Sequence, residues 1–378
     1  MKQDWHDYAG KLEAAERKLE LSSICARNKQ LIRDFKRQLL LDGISKARIL
    51  VYASKLPIIA EIVGKEFDQC ATEDLMGFVE CVESKPYSEW TKQSYKVVLK
   101  RFYRWLKNTG REYPEEVKWI RTNIRQDRLK LPGEGDLTTQ EEVERLTNSA
   151  DHPRDKALVA AIYESGCRIG EIGTLLIKDV SFGKLGAHLN VIGKTGSRQV
   201  FLINAAHYLA LWLSIHPDRN NREAPLWVNI GNTNRGKQMN YPGIRKLLYN
   251  LFRKAGVNKK SKPHNFRHAR ATHLASGLNE FQMCQHFGWK LGSKMPGTYI
   301  HMSGKNTDDA LLRMHGIVAP AQNDSVSKAT PCPRCEHVNP ASFQFCGKCG
   351  CALDVKAAME AEERTKAVTE NVQPRTPC

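Results

Sequence analysis

A chain of 378 residues exceeds one ordinary hydrophobic core, so two domains and an appendage are expected. No stretch approaches the roughly 18 apolar residues of a membrane span, and Met1-Lys2-Gln3-Asp4-Trp5 has no signal-peptide apolar core. A soluble, cytoplasmic protein without a membrane partner is expected. The net charge of +17 is uneven: Lys and Arg outnumber Asp and Glu by 26 to 19 over residues 1–130 and by 25 to 15 over 131–318, then balance at 7 each. Such an excess suits a polyanionic partner, nucleic acid above all, contacted before residue 319.

In chain order, residues 1–130 read as helices with short connections. Leu31, Ile32, Phe35, Leu39 and Leu40 recur at helical spacing over 29–40, and Asp42-Gly43 breaks the pattern. Apolar stretches follow at 49–63 and 75–82. Between Glu89 and Lys107, Tyr95, Val98, Leu99, Phe102 and Leu106 form an apolar face, while Lys92, Lys96, Lys100 and Arg104 recur every four residues. That spacing places four cations on one helical stripe, either a plain solvated face or one lying against a phosphate backbone.

Residues 111–135 form a boundary. The polar, basic run from Arg121 to Gly133 ends in turn residues and reads as a linker that could itself track DNA. Thr139-Gln140-Glu141-Glu142 has the capping-box pattern, so a helix starts near Gln140. Helical character continues over 155–164 and 166–172. Strand composition follows at 179–182, 188–192 and 199–203, with Lys194-Thr195-Gly196-Ser197 as the hairpin turn that displays Lys194. Helices resume at 205–213, 242–255, 265–276 and 279–287.

The chemistry concentrates near the end of this stretch. His264-Asn265-Phe266-Arg267-His268, Phe287-Gly288-Trp289 and Thr298-Tyr299-Ile300-His301 lie within 38 residues, with Arg168 isolated upstream in Gly166-Cys167-Arg168-Ile169-Gly170-Glu171-Ile172. A phenol has its pKa near 10 and attacks phosphorus poorly unless cations surround the phosphate. Two arginines and a histidine can supply them. Taken singly, each of these residues reads equally well as a surface or packing group.

Together, in this order, these motifs and the hairpin Lys194 resemble the tyrosine recombinase (phage integrase) family, including its Xer members, over residues 140–315 and the helical region before them. The resemblance implies a mainly α fold with a small β-sheet: a helical DNA-binding (core-binding) domain over 1–130 and an α+β catalytic domain over 136–317. It implies that Arg168 and Arg267 grip the scissile phosphate and that Lys194 protonates the departing 5′ oxygen. His264 would hydrogen-bond the phosphate and assist proton movement, and Trp289 would support the site by packing and an indole N–H bond. Tyr299 would attack phosphorus to give a 3′-phosphotyrosyl link, with neither ATP nor a catalytic metal. Glu171 and His268 would be supporting residues. Phe266 stands where the family usually has Leu, and the gap from Trp289 to Tyr299 is one residue longer than common. An amphipathic helix after Tyr299, with Leu311, Leu312 and Met314, implies docking on a neighbouring protomer and a tetramer on two double-stranded DNA duplexes. The rival readings are a catalytically inactive DNA-binding regulator of the same fold and a relaxing topoisomerase.

The 11 cysteines are no disulfide framework: five are scattered before residue 285, five cluster between 332 and 351, and one ends the chain. Beyond a tether over 318–330, Cys332-Pro333-Arg334-Cys335 and Cys346-Gly347-Lys348-Cys349 form two C-x₂-C pairs ten residues apart. This spacing resembles a zinc ribbon, placed at 331–354, with Cys332, Cys335, Cys346 and Cys349 closing a structural zinc site. Cys351 reads as a bystander. The neutral tail leaves a protein partner as open as DNA for this ribbon, and residues 355–378 read as a short helix and a disordered end.

Overall fold

The computed structural model describes residues 5–125, residues 133–302 apart from 184, 194, 233 and 276, and residues 330–332, 337–339, 343, 346, 347 and 353 of the tail. The chain divides into two compact units, Met1–Leu131 and Pro132–Cys378.

The first unit contains α1 (Tyr8–Leu21), α2 (Ala26–Leu41), α3 (Lys46–Val63), α4 (Thr72–Ser84), α5 (Glu89–Leu106) and the short α6 (Glu115–Lys118). The apolar positions spaced at helical intervals face one core: Leu31, Ile32, Phe35 and Leu39 of α2, Ile49, Tyr52 and Leu56 of α3, and Tyr95, Val98, Leu99 and Phe102 of α5. Phe102 meets Phe35 and Phe67 edge-on at 5.4 and 4.8 Å, the arrangement that the ring quadrupoles favour. Leu40, expected on the apolar face, is instead exposed.

The basic stripe on α5 has partners within the first unit. Lys92 and Lys96 both pair with Glu83 of α4, at 3.4 and 2.5 Å. Lys100 is only 9% exposed; its ammonium donates to the Ile120 and Lys118 carbonyls at 2.9 and 3.3 Å and lies 4.3 Å from the centre of the Tyr113 ring. Arg104 stands over the same ring. These cations tie α5 to α4 and to the segment that follows it. A buried ammonium needs such acceptors, and the four-residue spacing that aligned the charges also aligned them with their partners.

The second unit opens with the expected capping box. The Thr139 hydroxyl accepts from the Glu142 N–H and the Glu142 carboxylate accepts from the Thr139 N–H, at 3.2 and 2.8 Å, and α7 (Gln140–Ser149) begins there. α8 (Pro153–Ser165) is buried from Ala157 to Ser165 and packs against α7. After α9 (Ile169–Gly173), three antiparallel strands form a sheet of order β1 (Val180–Phe182), β2 (Ala187–Gly193), β3 (Gly196–Leu202). Gly193 pairs with Gly196, which makes the β2–β3 connection a tight hairpin. Helices α10 (Asn204–Ser214), α11 (Tyr241–Lys254), α12 (Pro263–Ala275), α13 (Glu280–Phe287) and α14 (Met295–Met302) follow; α10 and α12 also pack on α8. A short pair, β4 (Thr330–Pro331) and β5 (Val338–Asn339), belongs to the tail. The mainly helical composition with a small antiparallel sheet agrees with the expected fold class; β1 is one residue shorter than expected, β2 one residue longer at each end, and β3 starts three residues earlier and ends one earlier. α14 was not anticipated.

α10 shows how the interior organises this unit. Its N-cap, Ile203, has no side chain to offer. The buried carboxylate of Glu164, near the end of α8, accepts instead from the N–H groups of Ile203, Asn204 and Ala205 at 2.8, 3.1 and 2.6 Å. A carboxylate at a helix N-terminus satisfies orphan donors and opposes the positive end of the dipole.

Among the described residues, no helix is long and apolar enough to cross a membrane. The amphipathic segment after Tyr299, the tether at 318–329, most of the basic linker and residues 355–378 lie outside the described residues.

Candidate active site

The site is built from the turn after α8, helix α12 and the segment from α13 to α14. α8 ends at Gly166, whose φ of 55° is left-handed. A Cβ there would come within 2.4 Å of the Phe287 ring, so only glycine allows both the turn and the close approach of α13. The turn delivers Arg168 as the N-cap of α9.

Glu171 fixes Arg168 in place. Its carboxylate accepts from the Arg168 backbone N–H and from the guanidinium, both at 3.0 Å. The Arg168 side chain keeps 37% of its surface exposed, leaving donors free for an anion. Glu171 itself is buried, which disfavours its charge, yet the guanidinium of Arg198 at 2.8 Å and the two bonds from Arg168 hold its carboxyl below the usual carboxylate range.

Arg198 is a residue that motif reading passed over. It lies on β3, in alternation with the buried Val200 and Leu202, and its side chain is 9% exposed. It donates to both oxygens of Glu171, to the Cys167 sulfur at 3.3 Å and to the His286 carbonyl at 2.9 Å. Burial disfavours its cation, but Glu171 and Cys167 keep its pKa raised. Gly288, with φ of 62°, stands where a Cβ would come within 2.8 Å of the Arg198 guanidinium. Thr195 donates to the Gly288 carbonyl at 3.1 Å, so the hairpin is clipped to the chain just before Trp289. The expected strand began at residue 199; the longer β3 puts Arg198 in the alternation that turns it inward. Lys194, between Gly193 and Thr195, lies outside the described residues.

On α12, His264, Arg267 and His268 fall at i, i+3 and i+4, hence on one face. Arg267 is 4% exposed and donates to the Gly166 and Phe287 carbonyls at 2.9 and 2.8 Å. Its guanidinium also lies over the Phe287 and Trp289 rings. Burial, with Arg168 nearby, lowers its pKa to about 10, which leaves it cationic at neutral pH. His264 sits at the exposed rim, and desolvation with the two arginines lowers its pKa.

Tyr299, on α14, is 2% exposed. Its ring stacks on Trp289 at 5.4 Å and an interplanar angle of 2°, and Trp289 stacks in turn on Phe287 at 4.7 Å. Its hydroxyl lies 2.6 Å from Nδ1 of His268. Burial raises the phenol to about 12, while Arg267 works in the opposite direction. The structure thus brings together Arg168, Glu171, His264, Arg267, His268, Trp289 and Tyr299 within one unit. The added residue between Trp289 and Tyr299 does not keep the phenol from that cluster. Such a group can hold a phosphate between two guanidiniums and present a phenol to its phosphorus.

Residues 136–305 match the profile described as the phage integrase family. These residues form a phage integrase family domain. Over a longer span, the chain carrying this integrase domain is 25% identical to tyrosine recombinase XerC of Corynebacterium glutamicum across 289 residues, 75% of this chain and 91% of that relative. Among solved structures, the XerH site-specific recombinase bound to palindromic difH substrate, a post-cleavage complex, superposes with a TM-score of 0.57 at 19% identity, covering 83% of this chain and 98% of that one. A lambda integrase tetramer bound to a Holliday junction gives a TM-score of 0.55 at 12% identity, covering 70% and 78%. These two likenesses establish the integrase domain's fold, and its chemistry rests on its own residues.

In the tail, Cys332 and Cys346 are both buried, at 1% and 3% exposure, one from each C-x₂-C pair. Cys332 follows β4 and its N–H donates to the His337 carbonyl at 2.8 Å, while the Gly347 N–H donates to the Asn339 side chain at 3.0 Å. Cys335 and Cys349 lie outside the described residues, and no metal-binding cluster forms among the described ones. Two buried thiols on turns tied to a short hairpin suit the donor set of a tetrahedral zinc site.

Proposed function

We propose that the chain is a tyrosine-type site-specific DNA recombinase that cleaves and rejoins DNA through a 3′-phosphotyrosyl intermediate. The observation that carries this reading is the Tyr299 hydroxyl, aligned by Trp289 and His268 beside the cationic pair Arg168 and Arg267. Each guanidinium has five N–H donors, so both retain donors after their protein bonds. They bind the non-bridging oxygens and offset the charge that builds in the pentavalent transition state. The Tyr299 oxygen forms a bond to phosphorus, the bond to the 5′ oxygen breaks, and Lys194 protonates that oxygen. His264 at the rim hydrogen-bonds the phosphate. Reversal by a new 5′-hydroxyl rejoins the strand, and because the phosphotyrosyl link conserves the energy of the phosphodiester, ATP is not consumed.

The substrate is double-stranded DNA, consistent with the positive charge of both units. Synapsis of two duplexes by a tetramer accounts for exchange between them, the assembly in which lambda integrase of the same fold is found on a Holliday junction. The ribbon cysteines hold a structural zinc, whose chemistry is to cross-link four thiolates; the turns around Cys332 and Cys346 orient two of them. The ribbon offers a surface for a protein partner.

The test is covalent capture. A random-sequence pool of nicked duplexes is incubated with the protein, and complexes that survive denaturant are recovered and amplified. Wild type is expected to enrich a defined site, and Tyr299→Phe to capture nothing on it. Failure of wild type to enrich any sequence would overturn the reading.

A further inference from the structure

We infer that His268 is the catalytic base that takes the proton from Tyr299, a role separate from that of His264. This inference rests on the recombinase reading and concerns the same site. A phenol must lose its proton as it attacks, and a base can accept it only from hydrogen-bond distance. Among the described groups around Tyr299, the imidazole of His268 meets that requirement, with Nδ1 2.6 Å from the hydroxyl. His264, one turn earlier on α12, packs edge-on against the His268 ring at 4.3 Å and lies at the exposed rim.

The surroundings suit a base. The charged and titratable groups facing His268 are His264 and Arg267 on its own helix and Tyr299 on α14. Those of the other packed helices point elsewhere: Tyr163 lies beneath Arg270, the Glu164 carboxylate caps α10, and His286 interacts chiefly with Arg270 and Arg198. Among the described residues no carboxylate stands beside it; His268 is desolvated next to cations, and its pKa falls to about 4. It is therefore neutral at any pH where the protein meets DNA, and in the tautomer protonated at Nε2 its Nδ1 accepts from the phenol. The stack of Tyr299 on Trp289 fixes the ring and with it the position of the hydroxyl oxygen.

The step balances. As the Tyr299 oxygen bonds to phosphorus, its O–H bond breaks and the proton passes to Nδ1, giving an imidazolium. The 5′ oxygen departs with a proton from the acid. On rejoining, the 5′-hydroxyl attacks, the phosphotyrosyl bond breaks, and His268 returns its proton to the phenolate. The cation formed beside Arg267 is costly, which favours that return.

The experiment uses the full chain and the nicked duplex enriched by wild type, carrying a 5′-bridging phosphorothiolate at the scissile position. A thiolate leaves without an acid, so the rate reports activation of the nucleophile alone. His268→Gln keeps hydrogen-bonding capacity but cannot carry a proton. Its single-turnover cleavage is expected to fall by about 100-fold at pH 7, and to rise about tenfold for each pH unit up to 9, while wild type stays level. Replacing Tyr299 by 3-fluorotyrosine, a more acidic phenol, should restore His268→Gln by more than tenfold and change wild type little. Melting temperature and binding of the same duplex show that the variant is folded; should His268→Gln fail that check, His268→Asn carries the same expectations. A folded variant within about threefold of wild type, or one slowed with a level pH profile and no response to fluorination, overturns the inference while the recombinase reading stands. Absence of capture by wild type overturns both.

Discussion

At the residue scale, the cationic site depends on an ion pair that contacts no substrate. Arg198 and Glu171 are 9% and 5% exposed, and Glu171 in turn aligns Arg168. Removing one partner of a buried pair strands the other charge, whereas removing both costs less. Arg198→Met is therefore expected to lower stability by about 3 kcal/mol, read from the urea midpoint, and Arg198→Met with Glu171→Gln to lose less than Arg198→Met alone. A more stable single variant would contradict this account. The motif residues were legible as types in an order: Arg168, His264, Arg267, Trp289 and Tyr299 all belong to the cluster. Two things were not legible. Arg198 fell between the expected turn and the expected strand, and its carboxylate partner lies 27 residues away, where nothing local specifies the pairing. The bond from His268 to Tyr299 likewise spans 31 residues.

At the element scale, helices with strong periodicity or a capping box formed where sequence places them, α5 and α7 among them. α14 was missed because Met295-Pro296-Gly297-Thr298-Tyr299-Ile300-His301-Met302 mixes proline, glycine and β-branched residues, all poor helix formers. Packing against α12 and α13, with Tyr299 in a cluster with Ala271, Met283, Phe287 and Trp289, decides it instead. The same holds for α10, whose cap arrives from another helix. Glu164→Gln leaves one oxygen and no charge for three N–H groups, so it is expected to cost about 2 kcal/mol, measured by chemical denaturation. A loss of only a few tenths would show that water satisfies those groups.

At the scale of the whole molecule, stability should depend on pH through buried imidazoles. His268 and His286 have pKa values near 4, against an ordinary value of 6.5, chiefly because burial disfavours their cations. The folded state favours the neutral form, so their contribution is complete above pH 6.5 and is lost as pH falls from 6.5 towards 4. A shift of this size is worth at most about 3 kcal/mol per group. Urea melts at pH 7 and 4.5 should show the loss, and His286→Leu should flatten it. In the tail, the purified protein is expected to hold one zinc per chain, measured by elemental analysis, and Cys332→Ser with Cys346→Ser to abolish it. Covalent capture should survive that double substitution, because no described residue of the ribbon belongs to the cluster around Tyr299.

The sequence by itself determined the helical periodicities, the hairpin, the order of reactive residues, the paired C-x₂-C motifs and the positive charge before residue 319. Each is a property of neighbours in the chain or of composition, which short-range geometry and simple counting express. Only the tertiary structure decided that the α5 cations serve internal partners, that Arg198 holds Glu171, and that α14 exists and sets Tyr299 against His268. Those outcomes depend on which groups meet across 9 to 31 residues of chain, and on burial, which alone makes an unpartnered charge or donor too costly to leave.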